Sequence, residues 1–106
     1  MTPQEILDIE RDIVYTLKNI YDPEIPVNIY DLGLVYEIEM TPEGTANIRM
    51  TLTAPNCPMA DMLVQQVHDD VLKVKGVERV DVTLIFDPPW DRSMMTQEAL
   101  LELGMI

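Results

Sequence analysis

The sequence predicts an α+β two-layer fold. Apolar residues recur at helical spacing over 2–20 and 58–74 and alternate with polar ones over 34–40, 46–53 and 78–86. Prolines and glycines fall between these runs, so each run is one element. The expected order is helix, strand, strand, helix, strand, short helix. The three strands form a mixed sheet in the order 2-1-3, with the helices packed on one face.

Each element has a local cause. Thr2 and Glu5 make a capping-box pattern with Pro3 at the first helical position, and Ile6, Ile9, Ile13, Leu17 and Ile20 form one stripe. Asp22-Pro23 stops that helix, because the proline ring disfavours helical geometry in the residue before it. Residues 22–33 are irregular yet apolar enough to pack down. Leu34, Tyr36, Ile38 and Met40 point one way and Glu37 and Glu39 the other, which describes a half-buried strand. The turn Thr41-Pro42-Glu43-Gly44 leads into a second strand with Ala46, Ile48, Met50 and Leu52 inside and Thr51 and Thr53 on the polar face. The second helix puts Ala60, Leu63, Val64, Val67, Val71 and Val74 on one face, leaves Met62 off it, and stops at Gly76. Val80, Val82, Leu84 and Phe86 face inward from the third strand, and Thr96 caps a short last helix. The second and third strands, joined by a helix, run parallel; the first is expected between them.

The chain has 106 residues, which suits a single domain spanning 1–106. Its 19 acidic residues against 7 basic ones give a net charge of −12, which disfavours nucleic acid and anionic membrane surfaces as partners. No apolar run approaches the roughly 18 residues of a membrane span, and the acidic N-terminus does not resemble a signal peptide. With one Cys no internal disulfide can form, so a reducing cytoplasm is the expected location.

Cys57 sits before Pro58 at the start of the second helix, where unpaired amides favour a thiolate, the form that attacks or binds metal. An inert, buried thiol is the other reading of the same placement. One Cys and one His, His68, about three turns apart, do not make a permanent metal site, and His68 reads as a border residue of its helix. Any metal contact at Cys57 is therefore transient, completed by a second copy or a partner. Asp22, Glu24 and Asp31 either receive a cation or basic partner surface or are local stop chemistry and solvated charge. Thr51 and Thr53 lead towards Asn56 and Cys57, either as hydroxyl donors or as ordinary strand threonines. Asp87-Pro88-Pro89-Trp90 ends the third strand at the same sheet edge, as a binding platform or as a plug on the core, with Met94, Met95 and Met105 adding soft surface. No phosphate loop, nucleophile elbow or Ser-His-Asp set can be assembled, so hydrolase and kinase chemistry is not expected.

Three segments carry a resemblance: DPEIPVNIYDLGLVYEI (22–38), MTLTAPNCPM (50–59), and DPPW followed by Met94. They make the chain resemble the SufT-like and PaaD-like iron–sulfur assembly domain family from about residue 4 to residue 104. Similar domains occur in eukaryotic cytosolic iron–sulfur targeting factors and at the front of some Mrp/ApbC-type carriers. The resemblance implies the helix–strand–strand–helix–strand fold and a non-enzymatic, accessory role in maturing iron–sulfur proteins. It makes Cys57 the transient iron or cluster contact, with Thr51, Thr53 and Asn56 beside the ligand. It also makes Asp22, Glu24, Asp31, Asp87, Trp90 and Met94 a partner surface. No cofactor is expected to be stably bound. The implied partners are an iron–sulfur scaffold or carrier and apo-client proteins, with a weak homodimer as a variant. The alternative is a pure adaptor between carrier and clients, with Cys57 structural. The chain lacks the Walker A loop of the nucleotide-dependent carriers and the extra Cys cluster of the PaaD type, so the free-standing SufT-like version fits best.

Overall fold

The structure is a computed structural model that describes residues 1–22, 25–53 and 60–105. Its elements are α1 (Pro3–Leu17), β1 (Val35–Met40), β2 (Thr45–Met50), α2 (Ala60–Leu72), β3 (Arg79–Leu84), a 3-10 turn (Arg92–Met94) and α3 (Gln97–Glu102). The architecture is the expected α+β one. The capping box forms as read: Glu5 N–H donates to Thr2 Oγ1 at 3.1 Å and Thr2 N–H donates to Glu5 Oε1 at 3.1 Å. Thr96 caps α3 through the Ala99 amide. Ile13, Leu17 and Ile20 from the first stripe are fully buried, as are Val67 and Val71 of α2. α1 packs on β1 and on α2, and α2 packs on β3, so the two long helices share one face of the sheet.

The strand order differs from expectation. The sheet runs β1-β2-β3, with β2 central, antiparallel to β1 and parallel to β3. The crossover through α2 lays β3 directly against β2, and the tight hairpin leaves β1 on the opposite edge. Burial explains the choice. Ala46, Ile48 and Met50 of β2 are all fully buried, as a central strand requires, whereas Ile38 of β1 and Val82 of β3 on the same face are only partly buried, as suits edges.

Two further details depart from simple alternation. The β1–β2 register shifts between Val35 and Glu37, so Val35 pairs with Met50 and Tyr36 drops out of the ladder as a bulge. Along β3 burial fades from Val80 at 6% to Leu84 at 37%, and Phe86 beyond it is exposed. Leu84 has the inward parity, level with Met50, but it ends an edge strand and solvent reaches it.

Candidate functional site

β2 and β3 are parallel, so their C-terminal ends lie at one end of the sheet, level with the start of β1 (Val35, Met50 and Leu84 are in register). Here β2 delivers the chain through Thr51–Thr53 towards residue 54. The Thr51 amide donates to the Leu34 carbonyl at 2.8 Å, and the Ile85 amide donates to the Met50 carbonyl at 2.8 Å. Thr51 was expected on the polar face of the strand. Instead it lies just past the strand end with no exposed surface, because its amide is drawn onto the segment before β1. Its Oγ1 is buried and has no hydrogen-bond partner among the described residues. Thr53 is half-buried.

The loop before β1 is held down from inside. The Tyr21–Asn28 bridge closes it, and Asp22 Oδ1 accepts from the Ile25 amide at 2.9 Å. Asn28 Nδ2 donates to Asp31 Oδ2 at 2.8 Å, and Asn28 Oδ1 accepts from the Asp31 amide at 2.8 Å. Asp22 and Asp31 are 7% and 6% exposed. Both carboxylates therefore organise the loop from within and offer almost no surface to a partner. The reciprocal Asn28–Asp31 pair is what the sequence reading missed, although a three-residue Asn/Asp spacing in a turn-rich segment is its signal.

The segment after β3 wraps over this loop. Trp90 Nε1 donates to the Leu32 carbonyl at 2.7 Å, and the indole packs, half-buried, against the core. The Thr96 amide donates to the Asp31 carbonyl at 2.8 Å. Tyr36, freed from the ladder by the bulge, donates its hydroxyl to the Pro88 carbonyl at 2.8 Å and lies 3.5 Å from Met94 Sδ. Gly33 has φ +83°, and a Cβ there would run into the Met94 backbone, so only glycine permits this closeness. Gly33, Val35, Tyr36, Pro88 and Met94 line a shallow hollow of about 440 Å³. Asp87 is exposed beside it, Met94 is half-buried, and Met95, expected at the surface, is buried at 9%.

Of the residues singled out by the sequence, Glu24, Asn56 and Cys57 lie outside the described residues. Thr51 and Trp90 converge on neighbouring carbonyls, Leu34 and Leu32, and Asp31 and Met94 are joined to the same loop. His68 is a border residue of α2, with Nδ1 3.0 Å from Asp69 Oδ1. Among the described residues no three His, Cys, Asp or Glu side chains are grouped so as to hold a metal ion.

The model of an iron-sulfur cluster assembly protein family matches residues 10–83. The chain belongs to that family. It is 51% identical to an Fe-S protein maturation auxiliary factor of Porphyromonas gingivalis, over 96% of this chain and 97% of that one. It is 35% identical to the corresponding auxiliary factor YitW of Bacillus subtilis, over 92% and 95%. Among solved structures, a domain of unknown function from Bacillus anthracis superposes with a TM-score of 0.89 at 33% identity, covering 99% of this chain and all (100%) of that one. The family's match runs from within α1 into β3, so it includes Thr51 and the loop before β1 but not the segment from Leu84 to Thr96 that wraps over them.

Proposed function

We propose that this member of the iron–sulfur cluster assembly family is an accessory factor that helps deliver iron or iron–sulfur clusters to apo-proteins, with Cys57 as a transient contact to that cargo. The observation that carries the reading is Thr51. Its hydroxyl is fully buried and unpartnered among the described residues at the point where β2 leads into the 54–59 segment. An orphaned buried hydroxyl costs about 1–3 kcal/mol, and sites that tolerate such a cost are disproportionately functional. The names of the relatives support the pathway, since they are maturation auxiliary factors.

With only one thiol in the chain, Cys57 would need ligands from a partner or a second copy to hold a cluster. Contact with the cargo is thus brief, and handover to the client is not opposed by a full ligand set. Thr53 and Asn56 complete the polar surroundings of Cys57 in this reading. Asp87, Trp90 and Met94 contribute to the partner-facing rim, Asp22 and Asp31 hold the loop behind it, and Glu24 is assigned to the same partner surface by its sequence motif alone. The protein works without catalysing a bond change, in the cytoplasm, beside a scaffold or carrier. No helix among the described residues is long and apolar enough to cross a membrane.

Replacing Cys57→Ser tests this directly when client maturation and partner pull-down are read together. Lost maturation with partner binding retained is the expected result. Unchanged maturation would leave only an adaptor, with the thiol structural. Anaerobic reconstitution with iron and sulfide, followed by visible absorbance, should give a chromophore that depends on Cys57.

A further inference from the structure

A second concave surface lies along the outer side of α2. It is a groove of about 700 Å³ whose walls include Tyr21, Met62 and Leu63 together with Asp61, Asp69, Asp70 and Lys73. Tyr21 is 56% exposed and Met62 is 65% exposed, so two large apolar side chains stand in solvent beside three carboxylates. Asp61 near the start of α2 and Asp69 and Asp70 near its end all line the groove, which continues to Lys73 just past the helix. That is about 18 Å at a helical rise of 1.5 Å per residue. Lys73 is the groove's one cation among its described lining residues, and it reaches Asp70 at 4.0 Å. Asp69 Oδ1 accepts from Gln65 Nε2 at 2.8 Å and faces the His68 ring, and these hydrogen bonds, His68's first, hold its carboxyl below the usual range.

We infer that this groove docks a basic, amphipathic segment of a partner protein, with an apolar side chain seated between Tyr21 and Met62 and Lys or Arg side chains along the aspartates. The occupant follows from charge and spacing. The carboxylates are not grouped so as to hold one metal ion among the described residues, so they suit cations distributed along a chain. The groove's carboxylates disfavour the strongly acidic surface of a second copy as occupant of this groove, and the net charge of −12 opposes nucleic acid and anionic lipid. Methionine is adaptable enough to accept more than one apolar anchor. The groove shares no lining residue with the hollow at the sheet end, so it adds an interaction site to the assembly role rather than restating it.

The test is an NMR titration of the isotope-labelled full chain with a short synthetic helix carrying arginines and one leucine per turn. A control peptide has glutamate in place of each arginine. The expected result is amide shifts confined to α2 and Tyr21, absent with the control peptide and weakened by salt. The triple variant D61N/D69N/D70N should lower affinity roughly tenfold, since three surface charge pairs of modest strength are lost together. M62S should lower it as well. Asp61, Met62 and Asp69 are exposed and Asp70 is half-buried, and circular dichroism verifies that each variant folds. No binding, shifts centred on Glu37 and Glu39 of the sheet's outer face, or an equal loss in E37Q/E39Q would overturn the inference. Each of these outcomes leaves the assembly role, tested through Cys57, untouched.

Discussion

Thr51 is where stability and function part company. Its amide is satisfied by Leu34, but its hydroxyl is buried without a partner among the described residues. A valine has nearly the same shape and no polar atom to desolvate. Thr51→Val should therefore stabilise the chain by about 1 kcal/mol, raising Tm by roughly 4–8 °C in a domain of this size. If the hydroxyl serves the cargo at the end of β2, the same variant should slow client maturation. Calorimetry and a maturation assay together decide the matter. A more stable variant with full activity would make Thr51 a packing residue. Trp90 differs in that its indole N–H is already committed to the Leu32 carbonyl, so what it offers outward is ring surface and not a donor.

Helix α1 shows which forces hold an element here. Its cap is complete on both sides of the capping box, and Pro3 fits the first turn. A cap of this type contributes about 1 kcal/mol. Ile13 and Leu17 are each fully buried, and one such side chain contributes about 1.5–3 kcal/mol. The packed stripe therefore outweighs the cap, and Thr2→Ala should cost about 1 kcal/mol without unfolding the chain. The Thr2 backbone and side-chain hydrogen bonds hold the Glu5 carboxyl below its ordinary value. A lowered folded value means that the benefit is present above the unfolded pKa and is lost as pH falls through the folded one. The difference in Tm between the native chain and Glu5→Gln should accordingly be constant near neutrality and shrink below about pH 4, where the unfolded carboxylate takes up its proton. A difference that grows on acidification would contradict the capping geometry. Edge strand β1 is closed in part by α1 itself, since Glu10 Oε2 accepts from the Met40 amide at 3.0 Å.

At the scale of the molecule the dominant long-range term is charge. A net −12 on 106 residues is self-repelling. The ion pairs among the described residues lie at the surface, for example Arg49–Glu37 at 3.7 Å with both side chains more than half exposed, and such pairs contribute little. Added sodium chloride should therefore stabilise the protein instead of weakening it. Between about 10 mM and 300 mM salt, where the screening length falls from about 30 Å to well under 10 Å, Tm should rise by several degrees. A Tm that falls with salt would show that attractive pairs outweigh the overall repulsion.

Local chemistry was enough to determine the elements. The capping box, the Thr96 cap and the helical stripes depend on residues within a few positions of one another and appear where the sequence places them, whereas the strand alternation holds through Ala46, Ile48 and Met50 but breaks at Tyr36 and Thr51 and fades at Leu84 and Phe86. Motif spelling likewise sufficed for the family, and the sheet end where Thr51 and Trp90 meet the 32–34 segment follows from two parallel strands ending together. Only the tertiary structure decided which strand is central. A hairpin and a helical crossover are each satisfied in more than one strand order, and the choice rests on which strand buries most when all layers pack. The same holds for Asp22, Asp31, Thr51 and Met95. All four were expected at the surface, but their burial was settled by how the loop closes on itself and how the segments before β1 and after β3 pack over it. The bulge that frees Tyr36 for Pro88 and Met94 belongs here too, because it joins residues more than fifty positions apart, at separations of 52 and 58. No local pattern encodes such a pairing.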